Sequence, residues 1–170
     1  MKNTHTYILL FSLCILISCT TPGLQSGLPA IQKGDTPPDL PVKTLDGHEM
    51  RISDYKGKVI VLVFWKTWCN ACKIELQQAK NLLHTYHDKF KLFAVNIGEH
   101  PSIVQHFKRR HSLPFPIVLD LQTEISSAYG IRVWPTTIII NQKGQVHWIG
   151  TGSEIEPLIE QIELLLEENK

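Results

Sequence analysis

Cys69 and Cys72, separated by Asn70 and Ala71, are the side chains of this sequence best suited to chemistry. They follow an apolar run, Val59–Trp65, and open a helical pattern. A helix N-terminus presents unpaired N–H groups and a positive partial charge, which stabilise thiolate on the first sulfur, while the second lies one turn deeper. The first cysteine is thus the expected nucleophile and the second the resolving thiol. A pair of this kind can trade electrons with another protein's disulfide or hold a soft metal ion.

The elements that must position the pair can be read around it. The run Val59–Trp65 is continuous, apolar and β-branched, as in a strand buried on both faces. Beyond the cysteines, Cys72, Leu76, Ala79, Leu83, Tyr86 and Phe90 recur at steps of four and three, which predicts one helix with Cys72 on its buried stripe. Residues 91–97 form the next expected strand. Pro101 opens a helix running to His111 with Ile103, Val104 and Phe107 predicted inward, and residues 116–119 a short strand. Residues 123–129 suggest a short helix stopped by Gly130, and residues 136–140 and 145–149 two strands that should pair antiparallel.

The chain closes on Ile155, Leu158, Ile159, Ile162, Leu165 and Leu166 at helical spacing, with Ser153 and Glu156 offering a capping box that Pro157 complicates. Upstream, Asp46-Gly47 between two short β-prone runs signals a hairpin, followed by a turn or short helix at residues 53–57. Strands alternating with helices, then a hairpin and a helix, indicate an α/β three-layer sandwich.

The N-terminus bears on location. Lys2 precedes a short apolar stretch, residues 7–19, which falls short of the about 20 residues a membrane-spanning helix needs and reads as an export signal. Leu16-Ile17-Ser18-Cys19 resembles the lipobox of bacterial lipoproteins, which implies cleavage after Ser18 and a lipid on Cys19. Residues 1–18 are then a lipoprotein signal peptide, and residues 19–33, rich in breakers and poor in periodicity, a lipidated flexible tether. The folded unit is expected over residues 34–170. Cys14 would leave with the signal and Cys19 carry lipid, so Cys69 and Cys72 remain as the free thiols of the exported chain. A loop this short constrains the unfolded chain little, which favours chemistry over stapling.

Charge narrows the partners. The 17 Lys and Arg nearly balance the 16 Asp and Glu, and loss of the signal removes Lys2 and no acid. Nothing here points to nucleic acid, and no polybasic segment flanks the anchor. Thr20 after Cys19, where an aspartate would retain many lipoproteins at the inner membrane, hints at the outer one in an organism with two.

The segments Pro38-Asp39-Leu40, Leu45-Asp46-Gly47, Phe64-Trp65-Lys66-Thr67-Trp68-Cys69, Ala128-Tyr129-Gly130-Ile131 and Pro135-Thr136-Thr137, in that order, resemble the TlpA/ResA-like branch of the thioredoxin superfamily. The resemblance spans about residues 34–170. It implies a thioredoxin-like sandwich, a central mixed β-sheet flanked by helices, with an N-terminal β-hairpin and an extra βα insertion. It also implies an exported thiol–disulfide oxidoreductase that needs no cofactor.

By the same resemblance Pro135 is cis and lies against the cysteines, and Glu75, three residues after Cys72, sits beside the site. A carboxyl held in partly apolar surroundings there has a raised pKa and can exchange the proton that Cys72 loses and regains. Trp65 reads as core, whereas Trp68 and Trp134 are expected to form apolar surface around the attacking sulfur. The expected partners are exported proteins with disulfides, apocytochrome c among them, and a membrane donor that passes thioredoxin-derived electrons outward. Ala71 and Gln77 stand where relatives often carry prolines, which leaves the direction of electron flow open.

Spacing speaks against several other readings. His84 with His87 and His106 with His111 lack the i, i+4 step of a helical zinc site. Copper-binding thioredoxin folds of the SCO type place three residues between their cysteines, where this chain has two. Peroxiredoxins set a proline and a threonine ahead of one peroxidatic cysteine; here only Thr67 precedes Cys69. A copper-binding, chaperone-like module using both cysteines and a disulfide-forming oxidase stand as the alternatives to a reductase.

Overall fold

The computed structural model describes residues 30–152 and 156–168. Two small strands, β1 (Val42–Lys43) and β2 (Glu49–Met50), form the antiparallel hairpin, turning through Gly47 at φ 88°. A 3₁₀ turn, Ile52–Tyr55, leads to β3 (Val59–Trp65), then α1 (Asn70–Tyr86) and β4 (Phe90–Ile97). Next come α2 (Pro101–His111), β5 (Ile117–Asp120), α3 (Glu124–Ala128), β6 (Thr136–Ile140), β7 (Val146–Thr151) and α4 (Glu156–Glu167).

Five strands form one mixed sheet in the order β5-β4-β3-β6-β7, with β3, β4 and β5 parallel and β6 and β7 antiparallel. Every residue of β3 is buried, and alternation along it splits the core in two. Val59, Val61, Val63 and Trp65 point to the layer containing Leu76 and Ala79 of α1, Val104 and Phe107 of α2 and Leu158 and Ile162 of α4. Ile60, Leu62 and Phe64 point to the other, with Val42, Ile52, Ile125 and Tyr129. Each fully buried aliphatic or aromatic side chain of this strand contributes about 1.5–3 kcal/mol, so β3 is the frame on which the site hangs.

The hairpin docks on the sheet's edge: Thr44 bridges Val118 and the Leu45 N–H donates to the Ile117 carbonyl at 2.7 Å. It shields backbone groups of β5 that an open edge would expose. The crossover through α2 leads into β5, the strand at that edge of the sheet. Contacts also precede Gly34, since the Ile31 N–H donates to the Tyr129 carbonyl at 3.3 Å.

Two expectations need correction. The helix after the cysteines ends at Tyr86, and Phe90 opens β4, because a 3₁₀ turn at His87–Lys89 reverses the chain first. Its buried face runs through Cys72, Glu75, Leu76, Ala79 and Leu82, leaving Leu83 and Tyr86 at the margin. Ile103 is 52% exposed rather than inward; with Val104 and Phe107 seated on the core, the residue one step before Val104 is turned about 100° away. The capping box at Ser153 and the first apolar position of the last helix, Ile155, lie outside the described residues.

Candidate active site

The end of β3 carries residues 66–69 out of the sheet and into α1. Antiparallel β6 begins at the same edge, since Thr136 pairs with Phe64, so Pro135 arrives beside the loop that holds the cysteines. The Trp134-Pro135 bond is cis. Two segments 65 residues apart thereby meet: the Cys69 Sγ lies 3.9 Å from the Trp134 carbonyl oxygen.

Cys69 and Cys72 form a disulfide, with Cα atoms 5.2 Å apart. Cys69 is the N-cap of α1, and its Sγ accepts the Cys72 N–H at 3.0 Å. That donor is one of the orphan N–H groups of the first turn, so the helix end already directs positive charge at this sulfur. Cys72 is wholly buried, whereas Cys69 keeps 9% exposure and opens toward the rim. The two sulfurs differ in access as the order of attack and resolution requires.

Glu75 lies one turn beyond Cys72 on the same face of α1 and is 4% exposed. One carboxyl oxygen accepts the Thr137 hydroxyl, reaching across from β6; the other is buried without a hydrogen-bond partner. Burial pushes its pKa up from 4.5 to about 7, with the Thr137 hydroxyl pulling the other way. A carboxyl so placed changes protonation near neutrality. It can take up or release a proton next to the inner thiol.

The rim is aromatic. Trp68 is 62% exposed and packs edge-on against Trp134 with ring centroids 5.9 Å apart. Trp65 is fully buried against Phe107, at 4.9 Å between centroids. Two further side chains were not anticipated from sequence. The Lys66 ammonium lies 5.0 Å from the Trp134 ring centroid and 5.8 Å from that of Trp68, tying the pair together by cation–π attraction. Glu99 anchors the loop before the disulfide: it accepts the Thr67 N–H at 2.7 Å, the Thr67 hydroxyl at 2.6 Å and the Asn96 side-chain amide at 2.7 Å. Lys66 lies in a segment that carries the family resemblance and Glu99 just after β4, and neither position marks its contact in the sequence.

α1 runs unbroken through Ala71 and Gln77, and Gln77 faces solvent. The rings of His84 and His87 stand 5.9 Å apart on the far end of α1, and His111 stacks on Phe107 at 4.2 Å. Among the described residues no group of three or more His, Cys, Asp or Glu is placed to hold a metal ion, and no helix is long and apolar enough to cross a membrane. Cys19 lies outside the described residues.

Comparison with known proteins agrees with this geometry. The AhpC/TSA family profile matches residues 33–149. The thiol-disulfide oxidoreductase ResA of Geobacillus kaustophilus is 40% identical over 133 residues, 78% of this chain and 76% of its own length. ResA of Bacillus subtilis is 33% identical over 156 residues, 91% of this chain and 87% of its own length. Among solved structures, StoA from Bacillus subtilis superposes with a TM-score of 0.65 at 33% identity, covering 74% of this chain and 96% of StoA. A thiol:disulfide interchange protein of the thioredoxin family from Chlorobium tepidum shares the fold, with a TM-score of 0.70 at 21% identity over 81% of this chain and 99% of its own. The chain belongs to the AhpC/TSA family and, by its kinship with ResA over most of both lengths, is a thioredoxin-like thiol–disulfide oxidoreductase bearing a Cys69–Cys72 pair.

Proposed function

We propose that this protein is an exported, lipid-anchored reductase of disulfides in other exported proteins. The observation that carries the reading is the asymmetry of the pair, a rim sulfur on Cys69 against a sealed sulfur on Cys72 with the buried Glu75 carboxyl one turn away. In the reduced protein, Cys69 thiolate attacks a substrate disulfide, forming a mixed disulfide and releasing one substrate thiolate. Cys72 passes its proton to the Glu75 carboxylate and attacks the Cys69 sulfur, which expels the second substrate thiolate and closes Cys69–Cys72. Two electrons go to the substrate, and the proton on Glu75 is available to the departing thiolate. Pro135, with no N–H of its own, borders the groove in which an extended substrate strand would pair. Trp68 and Trp134 supply the apolar surface around it.

The residues from 34 onward form the catalytic unit in this reading, with residues 1–18 the signal and residues 19–33 the tether from a lipid on Cys19. The protein faces the periplasm or the cell exterior, by the export signal and lipobox in the sequence. Apocytochrome c is one client consistent with the family, and the oxidised pair is recharged by a membrane donor of thioredoxin-derived electrons. Incubating Cys72→Ser protein with a disulfide-bearing polypeptide tests the core of the reading. The expected result is a stable mixed disulfide on Cys69, seen by mass spectrometry and released by reductant. Absence of that adduct under conditions that trap a control thioredoxin would sink it.

A further inference from the structure

A groove of about 380 Å³ lies between the start of α1 and α2, lined by residues of both helices and by Thr67 of the loop that leads to Cys69. Its floor is apolar: Phe107, seated against Trp65, and Ile103, 52% exposed. Its walls carry two cations, Lys73 on the α1 side and Arg110 on the α2 side, with the imidazoles of His106 and His111 beside Arg110; no acidic residue lines it. Thr67, two residues before Cys69, and Lys73, four residues after it, both line the groove, so it adjoins the loop and first helical turn that hold the disulfide.

Asp46 is paired with Lys108 at 2.9 Å, and Glu99, which accepts hydrogen bonds from Thr67 and Asn96, does not line the groove. Helix dipoles explain part of this charge and leave part over. Basic residues in the last turn of α2 complement its negative end, but Lys73 closes the first turn of α1, where the dipole favours an acid. A cation held against that preference, across an apolar floor from Arg110, suits an anionic ligand with some apolar surface.

We infer that this groove binds an acidic segment of the same polypeptide whose disulfide is presented to Cys69, and so selects among substrates by the residues flanking their cysteines. The inference rests on the exchange reading above and adds a substrate class to it. Complementary charge at such a site acts mainly on the encounter rate and is screened by salt.

The test uses the reduced full-length protein and two peptides with one identical intramolecular disulfide, flanked by four Glu and Asp residues in one and by Gln and Asn in the other. Reduction rates are followed by rapid-quench chromatography. The acidic peptide should react about tenfold faster at low ionic strength, with the advantage falling to about twofold or less in half-molar salt. Lys73→Gln combined with Arg110→Gln should bring the acidic-to-neutral ratio to within about twofold of one, while Arg110→Lys retains it and Arg109→Gln, on the same helix outside the groove, leaves it high. Each ratio is taken within one protein, so a weakened fold lowers both rates and leaves the ratio readable. A ratio of one in the unsubstituted protein, survival of the ratio in the double variant, or an equal loss in Arg109→Gln overturns the groove while exchange stands. Failure of the reduced protein to act on either peptide overturns the exchange reading, and the groove with it.

Discussion

The two sulfurs of one disulfide, on Cα atoms 5.2 Å apart, occupy opposite surroundings. Around Cys69 lie an exposed indole, a second indole from the loop before β6, and an ammonium above both rings. Around Cys72 lie buried aliphatic side chains and a carboxyl with one oxygen unpartnered. One turn of helix is enough to separate them, because α1 starts at the sheet's rim and its next residues face inward. The rim side is suited to meeting another polypeptide, and the core side to handling a proton away from water.

The largest way to break this comparison is at the sulfurs. Cys69→Ser should lower turnover of a disulfide substrate about 10³-fold or more, whereas Cys72→Ser should still make the first bond and stall there. Equal adduct formation by both variants would erase the distinction between rim and core.

Glu75→Gln sharpens the core side. In the folded protein the carboxyl titrates near 7 and in the unfolded chain near 4.5, so the folded state holds the extra proton between those values. Stability therefore falls as pH rises from about 4.5 to about 7, by on the order of 3 kcal/mol from this one group, and levels off above. Denaturant titrations at pH 4 and pH 8 should show that decline in the unsubstituted protein and its loss in Glu75→Gln. Without its proton acceptor, Cys72 should also resolve a preformed mixed disulfide about 10²-fold more slowly at neutral pH. Identical pH profiles for both proteins would remove Glu75 from the mechanism.

Glu99→Gln tests the loop between the two sides. The amide keeps one acceptor oxygen where the carboxylate took three hydrogen bonds, so thermal unfolding should report a loss of about 1–3 kcal/mol. Smallest in stability is Trp68→Ala, within about 0.5 kcal/mol because the ring is mostly exposed, yet mixed-disulfide formation should slow by about tenfold. A large loss of stability with no kinetic effect would make Trp68 a packing residue instead.

How far the site could be read in advance depended on sequence distance. The cysteine spacing, the all-apolar β3 and the burial of Cys72 followed from local pattern, since periodicity and helix-end chemistry act over a few residues. The end of α1 is not legible in the pattern, because Phe90 continues the apolar phase by coincidence after the chain has turned. Nor is the exposure of Ile103, because an apolar side chain next to a buried one carries no mark of its own face. Pro135 and Glu75 came into view through family resemblance, whereas Thr137 bonding Glu75, Lys66 over Trp134 and Glu99 holding Thr67 did not.

By itself the sequence determined that two thiols would stand at a helix start behind a buried strand, in a chain whose other two cysteines, Cys14 and Cys19, come well before them. Only the tertiary structure decided which surroundings each thiol has. The antiparallel return of β6 against β3, with Thr136 opposite Phe64, brings Trp134, Pro135 and Thr137 to residues some 60 positions earlier. Contacts of that span depend on strand order and register, which a linear pattern of residue types does not encode locally.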